Sequence, residues 1–500
     1  MDVVFRIIKP VEDAGKLILS LIANENVYHK KDVDLQLEKK IYSFFDEVND
    51  DIFVLIEYPY VDKVFRDSYY SYFSSKHQKY YRECIRVSFF SEKISETDFR
   101  NPERFAFLQN KFLGFIIIRP TFPSIIGRSL LKREVFSEYD FINCNYFGNV
   151  SVNGVKLAVQ GFPHCSQDSE TITCAETTIW GLMEYFGNRY PEYKPTLPSK
   201  IIEALNKYSD QRLLPSSGLT INQISFALKD FGFGTHIYSR EAYKNDLESI
   251  ISIYIESGIP IIARIDNEKI AHAILIIGHE NDRKKTRSNK GNRLKVRFAR
   301  DEYDCIDYSK VKRKYLVQDD NLVPYRLINL GTPFEHYEHN EGEEDEFEWG
   351  QINSIVAPLY PKIYLEAVKA KKLVLNILAD SGFGHRFSPN FLFRFYLASS
   401  RSFKYHVASI IGMKNKQKNY VIDMPMPKFI WCTEFYEPGE FDKNIVSGLI
   451  ILDATEASEN EQDALLFAGY PSQIILKSGN EFAYSTEKFE FYNKYNNNLS

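Results

Sequence analysis

The feature that most constrains this chain is a helix start within residues 173–187. Thr173 and Glu176 have the spacing of a capping box, in which each side chain satisfies a backbone N–H that the helix leaves unpaired. Apolar residues then recur three and four positions apart, as one face of an α-helix requires: Ile179, Leu182, Met183 and Phe186. Gly187 is expected to end the helix in the left-handed conformation. The pattern predicts a helix whose first residue is Cys174.

A cysteine at the first position of a helix is well placed for nucleophilic chemistry. A thiolate there faces unpaired N–H groups and the positive end of the helix dipole, which stabilise its negative charge. Gln167, shortly upstream, could donate a side-chain N–H to an oxyanion that develops beside the sulfur. The alternative is a structural cysteine, since free cysteines are commonly small buried hydrophobes. The order of the elements that follow favours a nucleophile at Cys174.

The next segments predict a second capped helix and a β-hairpin. Residues 218–233 carry another capping box and end at a glycine. Two apolar runs follow, residues 259–265 and 270–278, with turn residues between them, which is typical of a hairpin. His272 lies near the start of the second run. An imidazole is therefore expected at one end of a strand.

A short strand that ends in acidic residues completes the pattern. Residues 315–321 are apolar at first and then contain Asp319 and Asp320. A basic and polar insertion, residues 280–314, separates this strand from the hairpin. The insertion is most simply a solvated loop or hairpin, although it could also steer an acidic partner or cover a cleft as a lid.

These features together resemble the papain-like cysteine peptidase superfamily, nearest the branch of the bacteriocin-leader-processing (double-glycine) peptidases. The features that match are a Gln before a helix-capping Cys, a Gly-Leu-Thr helix that closes in Gly-Phe, an Ala-His that opens a strand ending in Gly, and a strand that ends in Asp. The resemblance covers about residues 158–330. It implies an α+β fold with a papain-like core.

The resemblance also implies the roles of four residues. Cys174 would be the nucleophile and His272 the general base. Asp319 would orient the imidazole, with Asp320 as an alternative for this role. Gln167 would donate to the oxyanion. No cofactor and no metal belong to this set.

The activity implied is that of a bacterial-type thiol hydrolase that cleaves peptide or isopeptide bonds through a thioester intermediate. A second interpretation keeps the fold and changes the acceptor, giving an acyltransferase- or transglutaminase-like enzyme, or an amidase. A third is a catalytically inactive papain-like scaffold that binds a partner. The expected partner is a peptide or protein substrate, and the sequence leaves the oligomeric state open.

Charge, hydropathy and cysteine usage bound the class of protein. A net charge of −5 and a pI near 6.1 argue against nucleic acid as the main partner. No run reaches the roughly 18 to 20 apolar residues of a membrane span, and the N-terminus lacks the layout of a signal peptide. The six cysteines are scattered without a Cys-x-x-Cys motif, which is typical of reduced thiols. A cytoplasmic protein without membrane contact is expected.

Five hundred residues exceed a single hydrophobic core, so several domains are expected. We predict an N-terminal mixed α/β domain at residues 1–150, a papain-like catalytic domain at 151–335 and a C-terminal mixed α/β domain at 350–500. An acidic stretch at residues 335–346 is most simply an exposed loop that joins the last two, although its two histidines could contribute to a metal site.

Several other polar residues have both a structural and a functional interpretation. His164 and Cys165 could be a metal pair, but no second pair lies at zinc-ligand spacing. Arg119 and Arg128 could bind an anion, or could form structural ion pairs. In the C-terminal region a helix is expected over residues 390–408, with its basic residues on a solvated face: Arg394, Arg401 and Lys404.

Overall fold

The structure, a computed structural model, describes most of the chain. The described residues are 4–8, 12–24, 31–77, 80–121, 125–136, 140–168, 170–209, 213–214, 218–266, 271–281, 293–298, 301–335, 337, 350–380, 387–388, 390–457, 461–478, 481–490 and 492–499. Helices and strands occupy similar shares, so the chain is a mixed α and β protein, as the sequence predicted. Within the described residues, no helix is both long and apolar enough to cross a lipid bilayer.

The described part of the first 164 residues contains eight strands and four α-helices. The strands are β1 (Val4–Ile8), β2 (Phe53–Tyr60), β3 (Cys84–Phe90), β4 (Phe112–Ile118), β5 (Ser129–Leu131), β6 (Phe141–Asn143), β7 (Tyr146–Val152) and β8 (Val155–His164). The helices are α1 (Glu12–Asn24), α2 (Lys31–Phe45), α3 (Lys63–Ser71) and α4 (Phe105–Lys111).

The middle of the chain holds most of the elements predicted from the sequence pattern. Its helices are α5 (Cys174–Arg189), α6 (Pro198–Asn206), α7 (Ile221–Asp230), α8 (Arg240–Tyr243) and α9 (Leu247–Glu256). Its strands are β9 (Gly234–Ser239), β10 (Ile261–Asp266), β11 (Ala271–Glu280), β12 (Arg293–Phe298), β13 (Asp301–Asp307), β14 (Tyr315–Gln318) and β15 (Arg326–Ile328).

The C-terminal part is again mixed. Its strands are β16 (Gln351–Leu359), β17 (Leu392–Ser399), β18 (Phe429–Tyr436), β19 (Ile445–Val446), β20 (Gly448–Asp453), β21 (Leu465–Tyr470), β22 (Gln473–Ser478), β23 (Glu481–Ser485) and β24 (Tyr492–Asn493). Its helices are α10 (Ala367–Asp380), α11 (Ser400–Ser409), α12 (Asn415–Ile422) and α13 (Glu461–Ala464).

The chain divides into two compact units, each assembled from three separated segments. Unit 1 comprises Met1–Gly232, Ile262–Ile277 and Leu316–Val356, and unit 2 comprises Phe233–Ile261, Gly278–Tyr315 and Ala357–Ser500. The units are therefore interleaved along the sequence. The three sequential domains expected at 1–150, 151–335 and 350–500 stay a prediction.

Unit 1 contains two sheets. The first has seven strands in the order β1-β2-β3-β4-β5-β8-β7, and its neighbouring strands are antiparallel. Its central strands β3 and β4 are buried along their whole length, which explains their nearly continuous apolar sequences. In the second sheet five strands of this unit follow the order β15-β14-β11-β10-β16, with β6 paired to β11. This second sheet carries the predicted histidine and aspartate.

Unit 2 is organised by an eight-stranded sheet in the order β12-β13-β17-β18-β20-β21-β22-β23. The pair β13 and β17 is parallel, and the other neighbouring pairs are antiparallel. Part of the basic insertion, expected to be a solvated loop or hairpin, thus forms a hairpin that joins this sheet through β13. Cys305, on β13, is fully buried. Residues 282–292 of the insertion lie outside the described residues.

Two expectations about local structure are wrong. Helix α5 continues past Gly187 to Arg189. A side-chain carbon at Gly187 would lie 2.2 Å from the backbone nitrogen of Pro195, so the glycine permits a close approach of two backbones and does not end the helix. Residues 392–399 form strand β17, and Arg394 within it is buried, so it does not lie on a solvated helix face.

The segment between the two capped helices contains a further helix. This helix, α6, has Pro198 at its first position. Proline is well suited to that position because its missing N–H would be unpaired there in any case. The second capped helix, α7, is confirmed with Thr220 as its N-cap.

Candidate functional site

The loop before α5 is built around one buried carboxylate. Asp168 accepts hydrogen bonds from the backbone N–H groups of Glu170, Thr171 and Ile172 at 3.0, 2.6 and 2.9 Å. Arg119 donates to the carbonyl oxygens of Ser166 and Gln167 at 2.9 and 3.1 Å. The carboxylate of Asp168 and the guanidinium of Arg119 therefore fix the loop that leads into α5.

The helix start is the predicted capping box. Thr173 has an extended backbone, and its N–H and hydroxyl donate to the Glu176 carboxylate at 3.2 and 2.6 Å. Cys174 is the first residue of α5. The local sequence therefore places the sulfur at the N-terminal end of a helix of 16 residues, where the helix dipole favours negative charge.

Cys174 differs from the other five cysteines in its exposure. It is partly exposed, whereas the remaining thiols are buried, and none of the six forms a disulfide. Burial raises the pKa of the Cys165 thiol to about 11 and that of Cys84 and Cys432 well above the ordinary value. Cys174 is thus the thiol that a substrate can reach.

The second sheet of unit 1 brings His272 and Asp319 together. His272 is the second residue of β11, and Asp319 directly follows the neighbouring strand β14. The Nε2 atom of His272 lies 2.9 Å from Asp319 Oδ1, a hydrogen-bonding distance, and 3.7 Å from Asp320 Oδ1, which is too long for a hydrogen bond. The geometry favours Asp319 over Asp320 as the partner of the imidazole.

The electrostatics of the pair favour a charged imidazole. Burial alone would lower the pKa of His272, but the negative charge of Asp319, its hydrogen bond with the ring and an interaction with Cys174 outweigh burial and raise the pKa well above its ordinary value. Burial would raise the pKa of Asp319, but the charge and hydrogen bond of His272 and the backbone N–H of Asn321 lower it to about 2. His272 and Asp319 therefore form a buried, hydrogen-bonded pair.

Asp320 behaves differently from its neighbour. Burial raises its pKa to about 7, and the adjacent charge of Asp319 adds to this although His272 opposes it. Asp320 is 4% exposed, and neither of its carboxylate oxygens has a hydrogen-bond partner among the described residues. At neutral pH this second carboxyl therefore retains a large fraction of its proton.

The sequence did not point to two residues that contact Asp319. The Tyr337 hydroxyl donates to Asp319 Oδ2 at 2.8 Å and lies 3.4 Å from His272 Nε2. The backbone N–H of Asn321 donates to Asp319 Oδ1 at 3.0 Å. Tyr337 falls within the acidic stretch expected to be a linker, and its spacing gave no signal of this contact. Most of that stretch, with both of its histidines, lies outside the described residues.

Gln167 lies beside this group. Its side-chain N–H donates to Oδ1 of Asn321, whose own amide lies 3.4 Å from the Tyr337 hydroxyl. Gln167, Asn321 and Tyr337 therefore form a hydrogen-bonded chain that ends at Asp319. The expected role of Gln167 as an oxyanion donor stays a prediction.

The other polar candidates have structural contacts. Arg128 pairs with the buried carboxylate of Asp62 at 3.0 Å. His164 Nδ1 lies 3.1 Å from Gln318 Oε1, and burial lowers its pKa to about 4. The Cys165 thiol donates to the carbonyl oxygen of Ser166 at 3.3 Å. These contacts support the structural interpretation of all three.

One group of side chains in the described residues is close enough together to hold a metal ion. Potential ligand atoms of His272, Asp319 and Asp320 lie within 4.8 Å of one another. The same atoms already form the imidazole–carboxylate hydrogen bond. A metal there would have to compete with the proton between them, so chelation is a useful arm of any functional test.

Comparison with known proteins gives no relative from which a role could be transferred. No protein-family model matches the chain, and no curated protein matches it either.

Proposed function

We propose that this protein is a papain-like cysteine hydrolase that cleaves peptide or isopeptide bonds. The observation that carries the proposal is the hydrogen bond between His272 and the buried Asp319, together with Cys174, a partly exposed thiol at the start of a helix that contributes to the raised pKa of His272. A thiol, an imidazole and a carboxylate are the groups required for nucleophilic catalysis by cysteine. The six unpaired thiols fit a reducing, cytoplasmic compartment.

The resting state of the site is an ion pair between a thiolate and an imidazolium. Because Asp319 occupies Nε2 of His272, the other ring nitrogen is the one available to the sulfur. The raised pKa of His272 keeps the ring protonated at neutral pH. The imidazolium and the helix N-terminus then both stabilise a negative charge on Cys174.

Acylation follows from this charge arrangement. The thiolate attacks the carbonyl carbon, and the developing oxyanion accepts hydrogen bonds from the helix N-terminus and from the second N–H of Gln167. The imidazolium of His272 gives its proton to the leaving nitrogen, so the amide bond breaks and a thioester forms on Cys174. Asp319 holds the ring in place during the transfer.

Deacylation reverses the proton transfers. The neutral imidazole takes a proton from water while the water oxygen attacks the thioester carbonyl. The carbon–sulfur bond breaks, a carboxylic acid leaves, and the thiolate–imidazolium pair forms again. An amine in place of water would give the acyl transfer that the sequence left open.

The first test is the pH dependence of alkylation at Cys174. Labelling of Cys174 in preference to the other thiols is not decisive, because Cys174 is more exposed than they are. We expect the iodoacetamide rate constant of the wild type to change little between pH 6 and pH 8. In His272→Asn it should rise about tenfold per pH unit, as for an ordinary thiol with a pKa near 8.5. Mass spectrometry of the Cys174 peptide measures both.

The matched control is His406→Asn, which removes a half-buried imidazole from unit 2. The ring of His406 bonds the backbone carbonyl of Asn493 at 2.7 Å, a contact within unit 2. This variant should keep the wild-type profile. An ordinary thiol profile in the wild type would rule out the ion pair and with it the proposal.

Turnover separates hydrolysis from its alternatives. Peptides with standard and isopeptide linkages, incubated with the wild type in H₂¹⁸O, should gain one ¹⁸O in the new carboxylate. Incorporation should be lost in Cys174→Ala and should persist in the presence of EDTA. Cleavage that EDTA abolishes would assign the His272, Asp319 and Asp320 group to a metal instead. If Cys174 is labelled but no peptide is turned over, the remaining interpretation is the catalytically inactive scaffold that binds a partner.

A further inference from the structure

A small internal cavity lies in unit 1 beside Asp320. Its volume is ≈ 20 Å³, and all the residues that line it are buried. This volume is enough for one water molecule, which needs roughly 10–15 Å³ by this measure. The lining includes the two hydroxyl residues Thr177 and Thr178 and four further polar residues on which the argument rests: His164, Trp180, Gln318 and Asp320.

Each of these four residues has a buried polar atom with no hydrogen-bond partner in the part of the chain that is described. The atoms are Nε2 of His164, Nε1 of Trp180, Nε2 of Gln318 and both carboxylate oxygens of Asp320. Buried polar groups in native proteins are nearly always hydrogen-bonded, to protein or to ordered water. Four such groups around one cavity are therefore an indication of a bound molecule.

Neighbouring contacts fix which of these atoms donate. Gln318 Oε1 accepts from the backbone N–H of Tyr325 at 3.2 Å and lies 3.1 Å from His164 Nδ1. The oxygen is thus on that side of the amide, so the NH₂ group of Gln318 remains as a donor. The hydrogen on Nδ1 of His164 then points to this oxygen, and Nε2 keeps a lone pair. Trp180 can only donate.

We propose that this cavity binds one water molecule, which accepts hydrogen bonds from Trp180 and Gln318 and donates hydrogen bonds to His164 and Asp320. Two donors and two acceptors on the residues that line one cavity match the four hydrogen bonds of water. A cation would face the N–H groups of Trp180 and Gln318, and an anion would face the carboxyl group of Asp320. Water is the ligand that suits both halves of the lining.

The water would act as a positioning group for the candidate site. Asp320 Oδ1 lies 3.7 Å from His272 Nε2, so a hydrogen bond to Asp320 from the cavity side holds this carboxyl beside the imidazole. This effect on His272 rests on the proposed function. The water site itself does not, and it would remain if Cys174 proved to be inert.

A crystal structure of the full chain at a resolution that shows ordered water tests the site directly. We expect one peak within about 3.2 Å of at least three of the four side-chain groups. The absence of a peak in well-ordered density would overturn the proposal. A peak with the contacts of an ion, or with fewer than three of these partners, would also overturn it.

Gly181→Ala gives an independent test in solution. Gly181 lies in the middle of α5 and lines the cavity. A Cβ there would lie 3.6 Å from Leu275 Cδ2 and 3.8 Å from the Pro163 carbonyl oxygen, and both are ordinary contact distances. In a dry cavity the added methyl would raise the melting temperature, because alanine fills space and favours helix more than glycine does.

With water in the cavity the result has the opposite sign. The methyl competes with the water for space, and buried polar groups lose a partner, so the melting temperature should fall by roughly 2–4 °C or more. An unchanged or higher melting temperature would contradict the proposal. The alkylation profile of Cys174 is measured on the same variant, so a failed water site and a failed hydrolase can be told apart.

Discussion

The adjacent carboxylates Asp319 and Asp320 contact the same imidazole but differ in charge at neutral pH. Asp319 is hydrogen-bonded by three neighbours, and its pKa is lowered to about 2. Asp320 has no such partners in the part of the chain that the structure describes, and burial raises its pKa to about 7. One position therefore supplies a permanent negative charge to His272, and the other supplies a charge that grows as the pH rises through neutrality.

Replacing Asp319 should have a large effect on activity. In Asp319→Asn the imidazolium loses its buried counter-charge, so the pKa of His272 falls. We expect kcat/KM to drop by about 100- to 10,000-fold. The alkaline limb of the pH profile should move to lower pH, because this limb reports the loss of the proton from His272. Peptide hydrolysis across pH 5–9 measures both effects.

Asp320→Asn is the matched control for that experiment. At pH 6 the neutral amide resembles the protonated carboxyl, so activity should stay within about tenfold of the wild type. Above pH 7 the variant lacks a charge that raises the pKa of His272, and its alkaline limb should also shift to lower pH. A larger loss in Asp320→Asn than in Asp319→Asn at pH 6 would reverse the assignment of the two acids.

Asp320 should also make folding stability depend on pH. Its pKa rises from 3.8 in the unfolded chain to about 7 in the folded protein. Between these values the folded state holds a proton that the unfolded state has lost, so stability falls as pH rises. In Asp320→Asn this decrease in stability with rising pH is absent. Its free energy of unfolding, relative to the wild type, should increase between pH 4 and pH 8 by a few kcal/mol, at about 1.4 kcal/mol per pKa unit.

Asp319→Asn should show the opposite dependence in the same urea titrations. The lowered pKa of Asp319 contributes stability that is present above pH 4 and is lost as the pH falls towards 2. The free energy of unfolding of Asp319→Asn should therefore lie below that of the wild type by a constant amount between pH 5 and pH 8, and this difference should shrink below pH 4. Parallel pH curves for the wild type and both variants would contradict the charge states assigned to the two acids.

At the scale of elements, two helices begin with the same device but only one carries the sulfur. The capping box of α5 pairs Thr173 with Glu176, and that of α7 pairs Thr220 with Gln223. In α7 the backbone N–H of Thr220 donates to the glutamine at 2.8 Å, and the N–H of Gln223 donates back to the threonine hydroxyl at 3.3 Å. Mutations at the two helix N-termini therefore allow an effect on folding stability to be separated from an effect on the reactivity of Cys174.

Thr173→Ala should reduce both properties. Loss of an N-cap side chain typically costs about 1 kcal/mol of unfolding free energy. Because the first turn of α5 also holds Cys174, fraying there should slow its alkylation at pH 6 several-fold. Thr220→Ala should lower stability by a similar amount and leave the alkylation rate unchanged. Equal alkylation rates in both variants would show that the helix start does not activate the sulfur.

The same scale shows what the sequence could and could not predict. Helix α5, helix α7, the hairpin strands and β14 follow from capping pairs and hydrophobic periodicity, which are properties of neighbouring residues. Cys174 was identified from its position at the start of a helix, whereas the roles of His272 and Asp319 were implied by the resemblance to the papain-like peptidases. Tyr337 was missed because its contact with Asp319 depends on where a loop returns in space, and no spacing encodes that.

Burial of a charged residue was the other feature that the local sequence pattern did not predict. Arg394 was placed on a solvated helix face, yet it lies in strand β17 and is 3% exposed. Its apolar neighbours on both sides fit a strand buried on both faces, but a single arginine among them is read more easily as a solvent-facing residue. The partners that permit its burial are far away in sequence, at Glu256 and Glu434.

At the scale of the whole molecule, such distant contacts hold interleaved segments together. Within unit 2, Arg394 donates to Glu256 at 2.6 Å and to Glu434 at 3.2 Å. Glu256 also bonds His279 at 2.7 Å. Helix α9 and strands β11, β17 and β18 are thus joined by one buried charge network that draws on all three segments of the unit.

Arg394→Met should therefore be one of the most destabilising single changes in unit 2. Methionine fills much of the space but removes the cation that Glu256 and Glu434 share, and breaking such a buried ion pair typically costs about 3–5 kcal/mol. Hydrogen exchange of the amides in β17 and β18, followed by mass spectrometry, measures this loss. Lys443→Met is the control, because its ion pair with Glu440 is on the surface and should be worth at most about 1 kcal/mol. Equal protection in the two variants would mean that packing, and not this network, holds the segments of unit 2 together.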